Sequence, residues 1–192
     1  MERTRRLIAD TAIALFSEQG FDATTIDQIA AVAEVGPRTV YRYYPTKEAL
    51  VVHFAADTLH TALEELRGLP EETPLPQALY QVLDSVRRTI EGDSERRIVA
   101  FRIVYRTLSL HAELRAVTWL WRESLAAEIH RRTGGRTTEM AAALAAANIA
   151  AVMELSILEW ARSGEPAAMT LAVGRAVELL RTGDVPMPTP PM

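Results

Sequence analysis

Arg38, Thr39, Tyr41, Arg42 and Tyr43 crowd into one short stretch of the segment TTIDQIAAVAEVGPRTVYRYYPTK, positions 24–47. Two guanidiniums four positions apart share a helix face, and Thr and Tyr hydroxyls stand beside them. These groups form no nucleophile–base pair and no set of metal ligands. Arg forks onto guanine edges and Tyr hydroxyls bond phosphate oxygens, so the chemistry on offer is recognition of a polyanion. The chain's single lysine, Lys47, follows closely. Stepping a helix from Pro37 to Tyr44 by about 100° per residue puts Val40 and Tyr44 on one side. There they can pack on Ile8, Ile29 and Ala33. Arg38, Thr39, Tyr41, Arg42 and Tyr43 form the other, exposed side. On that face alone, an ordinary solvated helix with snorkelling arginines is an equally good reading.

The elements that must hold this helix are themselves helical. No stretch alternates apolar and polar residues between turn signals, and apolar residues recur at about 3.6 nearly everywhere, so the chain is read as all-α. A first helix over 4–19 carries Ile8, Ala12, Leu15 and Phe16 on one face and ends at Gly20, with Phe21 set to contact it. Thr25 and Gln28 have the spacing of a capping box and start a second helix. A break at Glu34-Val35-Gly36 precedes the third, which Pro37 opens. Thr46 caps a fourth helix reaching about Leu66. Residues 68–76 hold three prolines and form a loop. Further helices are predicted over 77–90, 95–110, 112–132, 138–162 and 166–182, and the proline-rich tail 184–192 is expected to be disordered.

Composition narrows the function classes. The 192 residues are 48% hydrophobic, enough for a sizeable core. No cysteine occurs, which excludes disulfides and thiol catalysis. His53, His60, His111 and His130 show no metal-ligand spacing, and neither a metal nor a cofactor is expected. Glu64-Glu65 and Glu71-Glu72 are adjacent and point apart. Gly134-Gly135 lacks the lysine of a phosphate loop. An enzyme is therefore not expected. The net charge of −4 excludes a generally basic surface but not a local basic cluster. No unbroken apolar run reaches the roughly 18 residues of a membrane span, and the N-terminus lacks the pattern of a signal peptide, so a cytoplasmic protein is expected.

The run Ala14-Leu15-Phe16-Ser17-Glu18-Gln19-Gly20-Phe21-Asp22-Ala23-Thr24-Thr25 resembles the opening of the TetR family of transcriptional regulators. So do Ile29-Ala30-Ala31-Val32-Ala33 and Val35-Gly36-Pro37-Arg38-Thr39-Val40-Tyr41-Arg42-Tyr43-Tyr44-Pro45-Thr46-Lys47-Glu48-Ala49-Leu50. The resemblance spans about residues 4–55. It implies an N-terminal three-helix helix-turn-helix DNA-binding domain over 1–55 and a C-terminal helical ligand-binding and dimerisation domain over 56–183. Thr25 would contact phosphate, and Gly36, Pro37, Arg38 and Thr39 would open the recognition helix at the groove. Tyr41 and Tyr43 would bond the DNA backbone, Arg42 would read a base and Lys47 would neutralise a phosphate. The family often has Ser where this chain has Gly36, and a small residue where it has Arg38, so no operator sequence transfers from a relative. The function implied is a homodimeric repressor, bound to an inverted-repeat operator in double-stranded DNA and released by a small molecule.

In the second half, Met140, Leu144, Ala147, Ala151, Leu155 and Leu158 form one stripe, and Ile149, Val152, Met153 and Ile157 spread apolar character to other faces. A helix apolar on several sides is buried on several sides. Dimerisation is therefore expected through the last two helices, with Leu171, Val177 and Leu180 on the partner surface. Arg102, Glu128 and Asn148 interrupt apolar faces. They either pair among themselves or solvent, or orient a small, largely apolar ligand beside Phe101, Tyr105, Trp119, Trp121 and Met153. The competing reading is a helical protein–protein adaptor with a vestigial helix-turn-helix, which the retained Arg38, Tyr41, Arg42, Tyr43 and Lys47 oppose.

Overall fold

Apolar residues at helical spacing form helices almost without interruption in the computed structural model, which describes residues 2–92, 94–163, 165 and 167–186. Among these residues the helices are α1 (Glu2–Gln19), α2 (Ile26–Val32), α3 (Pro37–Tyr43), α4 (Lys47–Gly68), α5 (Leu75–Glu91), α6 (Ser94–Arg106), α7 (Leu108–Arg132), α8 (Glu139–Ser163) and α9 (Ala168–Thr182). The fold is all-α, and the described residues contain no strand. Gly164, Pro166 and the tail from 187 onward lie outside the described residues.

The local signals act as their chemistry demands. Gly20 takes φ +90°, a left-handed conformation natural to glycine, and the Phe16 and Phe21 rings meet behind it at 5.0 Å. The Gln28 N–H donates to Thr25 Oγ1 at 3.2 Å while the Thr25 N–H donates to Gln28 Oε1 at 2.8 Å, a complete capping box. Thr46 accepts from the Ala49 N–H at 3.1 Å and starts α4. The expected single helix over 95–110 is instead two, broken at Thr107, and residues 108–111 belong to α7. No glycine or proline marks that break. It is imposed by packing, because α6 lies across α1 and α4 whereas α7 runs along α8.

Two apolar cores result. The first gathers Ile8, Ala12, Ile13, Phe16, Ile29, Ala33, Val40, Tyr44 and Leu50 around the N-terminal helices. Ala100, Val104 and Leu110, from α6 and α7, complete it. The second joins Leu59, Leu63 and Leu66 of α4 to α5, α7, α8 and α9 through Val82, Leu83, Trp121, Leu125, Ile129, Ile149, Val152, Met153 and Met169. Helix α6 faces both, since its Ile98 packs against the second core. Polar bonds pin it to the N-terminal helices. Arg96 pairs with Asp10 of α1 at 3.1 Å. Arg97 donates to the Phe54 carbonyl at 3.0 Å and to the Thr58 hydroxyl.

Helix α8 is long and apolar enough, by length and composition alone, to cross a membrane, although no unbroken apolar run reaches that length. It has 25 residues, and 33% of its most apolar stretch is buried. Counting unbroken apolar runs missed it because Asn148 and Glu154 interrupt the run without lowering its mean hydropathy much. One face, with Ala142, Ala146, Ile149, Val152 and Trp160, is buried. Within the single chain the stripe Met140, Leu144, Leu155 is 75%, 61% and 60% exposed, which leaves that apolar side open where the expected pairing would bury it.

Glu128 is 6% exposed and lies beside Arg132, which ties the C-terminal ends of α4 and α7 together. Its carboxylate accepts from Arg131 at 2.7 and 2.9 Å, and Arg132 approaches it at 3.5 Å. Arg132 also donates to the Leu66 and Leu69 carbonyls at 2.9 and 2.6 Å. The Arg131 hydrogen bonds hold the Glu128 carboxyl below the usual carboxylate range, against the opposing effect of burial. A depressed carboxylate stabilises the fold above its unfolded-state value, near 4.3, and the contribution disappears as pH falls through the lower folded-state value. Glu128→Gln is therefore expected to cost about 1–2 kcal/mol at pH 7, discounted because Arg131 is half exposed. Thermal melts from pH 7 to pH 3 should show the gap from the parent closing only at the acidic end. A constant gap would mean that shape, not charge, sets the cost.

Candidate DNA-binding interface

Helix α3 is two turns long, so its position depends on packing. Val40 is fully buried and Tyr44, just past the helix end, is 2% exposed; both belong to the first core with Ile8, Ile29 and Ala33. Three contacts lock Tyr44. Its hydroxyl donates to the Arg5 carbonyl at 3.1 Å, the Arg5 guanidinium lies 5.9 Å from its ring centroid, and the His53 ring meets it edge-on at 5.3 Å. Arg5 also approaches His53 Nδ1 at 3.3 Å. The sequence reading missed this support, because its members are up to 48 positions apart.

With one side anchored, the other faces outward. Arg38, Thr39, Tyr41 and Arg42 line an open notch on it. Tyr41 is 54% exposed. The Arg42 guanidinium stacks 5.1 Å from the centroid of the Tyr43 ring, which restricts its rotamers, while Tyr43 itself is half-buried against the first core. Pro37 occupies the first turn of α3, and Gly36 is its N-cap with no side-chain bond. Gly36 has φ −74°, and a Cβ there would meet nothing within 4 Å, so nothing in the fold demands glycine. The left-handed residue of the α2–α3 turn is Glu34, at φ +54°.

Two expected phosphate contacts are placed differently from the others. The Thr25 side chain is exposed, but its hydroxyl already interacts with Gln28. The Lys47 ammonium reaches back into the chain. It donates to the carbonyls of Phe21 at 2.6 Å, Thr24 at 3.1 Å and Asp22 at 3.4 Å, and sits 4.4 Å from the Phe21 ring centroid. Its three protons are thus all accepted by the α1–α2 connection.

The residues expected to surround a ligand differ in burial. Trp121 and Met153 are buried in the second core. Phe101 is half-buried and stacks on Tyr105 at 6.3 Å, while Arg102, Tyr105, Trp119 and Asn148 are exposed. Glu128 pairs with Arg131 and Arg132, not with Arg102. Arg122 covers the Trp119 ring at 5.2 Å. A separate open groove between α8 and α9 is lined by Leu155, Leu158, Leu171, Ala172 and Leu179, with Arg162 and Arg175 at its edges. Leu180 is exposed and Val177 half-buried beside it.

The sequence profile described as bacterial regulatory proteins of the tetR family matches residues 8–54. MftR of Mycobacterium tuberculosis, named as a mycofactocin biosynthesis transcriptional regulator, is 30% identical over 180 residues, 92% of this chain and 88% of that protein. TcmR of Streptomyces glaucescens, an HTH-type transcriptional regulator, is 37% identical over 59% of this chain and 53% of its own length. The crystal structure of FadR from Bacillus subtilis in complex with stearoyl-CoA shares the fold, with a TM-score of 0.67 and 18% identity over 93% of this chain and 98% of that one. An outward basic and aromatic face on the third helix of such a profile, in a chain alike to a regulator along nearly its whole length, identifies this protein as a member of the tetR family of bacterial transcriptional regulators.

Proposed function

We propose that this regulator acts in the cytoplasm as a homodimeric repressor, holding an inverted-repeat operator through α3 and leaving it when a small, largely apolar molecule occupies the C-terminal helices. The observation that carries the DNA-binding role is the division of α3, with Val40 and Tyr44 locked in the core and Arg38, Thr39, Tyr41 and Arg42 lining the notch outside. Arg42, pre-oriented on Tyr43, is the base reader, and Arg38 is a second cation at the groove. Tyr41 and Tyr43 bond the backbone, and the Gly36-Pro37 start of α3 lets main-chain N–H groups approach a phosphate. Thr25 serves at the backbone if its hydroxyl turns away from Gln28. Two-fold pairing through α8 and α9 would set the two α3 helices about 34–36 Å apart, one turn of DNA. Helix α6 is the natural link between ligand and DNA, because its residues belong to both cores and Arg96 and Arg97 fasten it to α1 and α4.

Arg42→Ala is expected to weaken operator binding by about 1–3 kcal/mol and to relax preference at particular base pairs, with an unchanged melting temperature. Fluorescence anisotropy on the operator and on single-base variants measures both effects. Parent-like affinity and preference in Arg42→Ala would remove Arg42 from the interface.

A further inference from the structure

Apart from one nitrogen of the Arg132 guanidinium, which is bonded through its other nitrogens, three hydrogen-bonding groups of α5, α7 and α8 have no bonded partner in the protein. They are the Ser85 hydroxyl on α5, the Trp121 indole N–H on α7 and the Ser156 hydroxyl on α8. The residues are 1%, 6% and 0% exposed, so they are shielded from bulk solvent. A helical serine or threonine usually escapes this penalty by donating to the carbonyl four residues earlier. Thr58, Thr118 and Ser124 do so here, at 2.7, 3.0 and 3.0 Å. Ser85 and Ser156 do not. Such orphaned groups are few in folded proteins, and each is destabilising. Three of them on three neighbouring helices are retained at a cost to stability.

We propose that these three groups are the polar recognition elements for the regulator's ligand, and that the ligand is an uncharged apolar molecule carrying a hydrogen-bond acceptor, such as an ester, ketone or lactone. This rests on the ligand-responsive reading above. Trp121 can only donate, so the ligand atom opposite it accepts. The serines can donate or accept, and they select for position. An uncharged ligand follows from the buried charges of this half, which are already paired. Glu128 is the one acidic residue buried among the described residues, and Arg131 and Arg132 already satisfy it. Arg102, the cation expected beside a ligand, lies exposed. An ionised ligand in this core would be stripped of water without a counter-charge. Since the three groups are enclosed, a ligand must part the helices that carry them; α8 packs against both α5 and α7, and α6 packs against all three.

The first test needs no ligand. Ser85→Ala and Ser156→Ala are each expected to raise the melting temperature by a few degrees, since each removes an orphaned polar group. An unchanged or lower value in either variant overturns the proposal. The second uses methyl decanoate and decanoate as probes, read by tryptophan fluorescence and by operator anisotropy. Methyl decanoate should bind more tightly than decanoate. Ser156→Ala and Trp121→Phe should each weaken the ester about five-fold, the effect of one net hydrogen bond. In Ser156→Ala, stability rises while affinity falls, which a purely structural serine would not produce. If the ester fails to bind, or decanoate or stearoyl-CoA binds more tightly, the neutral-ligand assignment is wrong; release of the operator by the charged compound would leave the ligand-responsive reading standing. Ester binding that leaves operator affinity untouched would support the recognition site and overturn the ligand-responsive reading.

Discussion

Leu155→Arg is expected to yield a folded monomer whose operator affinity falls at least about a hundredfold. Leu155 is 60% exposed in the single chain, so an arginine there meets no intramolecular clash and the helical fold should survive. Leu171 and Leu179 across the α8–α9 groove are 61% and 48% exposed. Contiguous apolar surface of this kind marks an interface more often than bare protein. In a two-fold pairing the same face meets itself, so each new arginine would be buried near its twin. The desolvation of each ion costs several kcal/mol, and like charges add to it. An operator with two half-sites then binds separate heads, and the affinity gained by linking them is lost. Light scattering at micromolar concentration and circular dichroism together check this. A monomeric parent, or a variant that stays dimeric, would move the interface elsewhere.

Lys47→Ala should lower the stability of the N-terminal helices by about 2–3 kcal/mol in the absence of DNA. Three carbonyls lose a charged donor, and the Phe21 ring loses a cation; charge-assisted bonds of this sort are worth about 1.5–3 kcal/mol each, reduced here because Lys47 is half-buried and water can replace part of the loss. Since Phe21 and Thr24 shape the approach to α2, DNA affinity should fall as a consequence of loosening. A phosphate contact predicts something else. Then the melting temperature would hold, binding would weaken on all sequences alike, and the salt dependence of binding would drop by about one unit of slope. Chemical denaturation of the free protein and salt titrations of the complex separate the two. An unaltered denaturation midpoint would refute the stitching role.

How much was legible follows the range of the forces involved. The start of α2 at Thr25, the stop at Gly20, the start of α4 at Thr46 and the inward and outward faces of α3 are set by residues within one or two helical turns. Cap bonds and amphipathic spacing are local, so the chain alone determined them, and with them the outward placing of Arg38, Tyr41 and Arg42. The direction of Lys47 depends on carbonyls more than twenty positions away. The turn before α3 is a middle case. Gly36 was at hand for a left-handed conformation, yet Glu34 takes it, because the Val35 N–H closes on the Ala30 carbonyl at 2.9 Å and fixes the geometry one residue after Glu34. Only tertiary structure decided the rest. Periodicity says that a helix has an apolar face but not what lies opposite, so Tyr105 and Trp119 read as pocket residues although they are exposed, and Ser85 and Ser156 passed unnoticed although they are buried. The break at Thr107 and the place of Ala100 and Val104 in the N-terminal core carry no local mark, because they arise from one helix having to satisfy two cores at once.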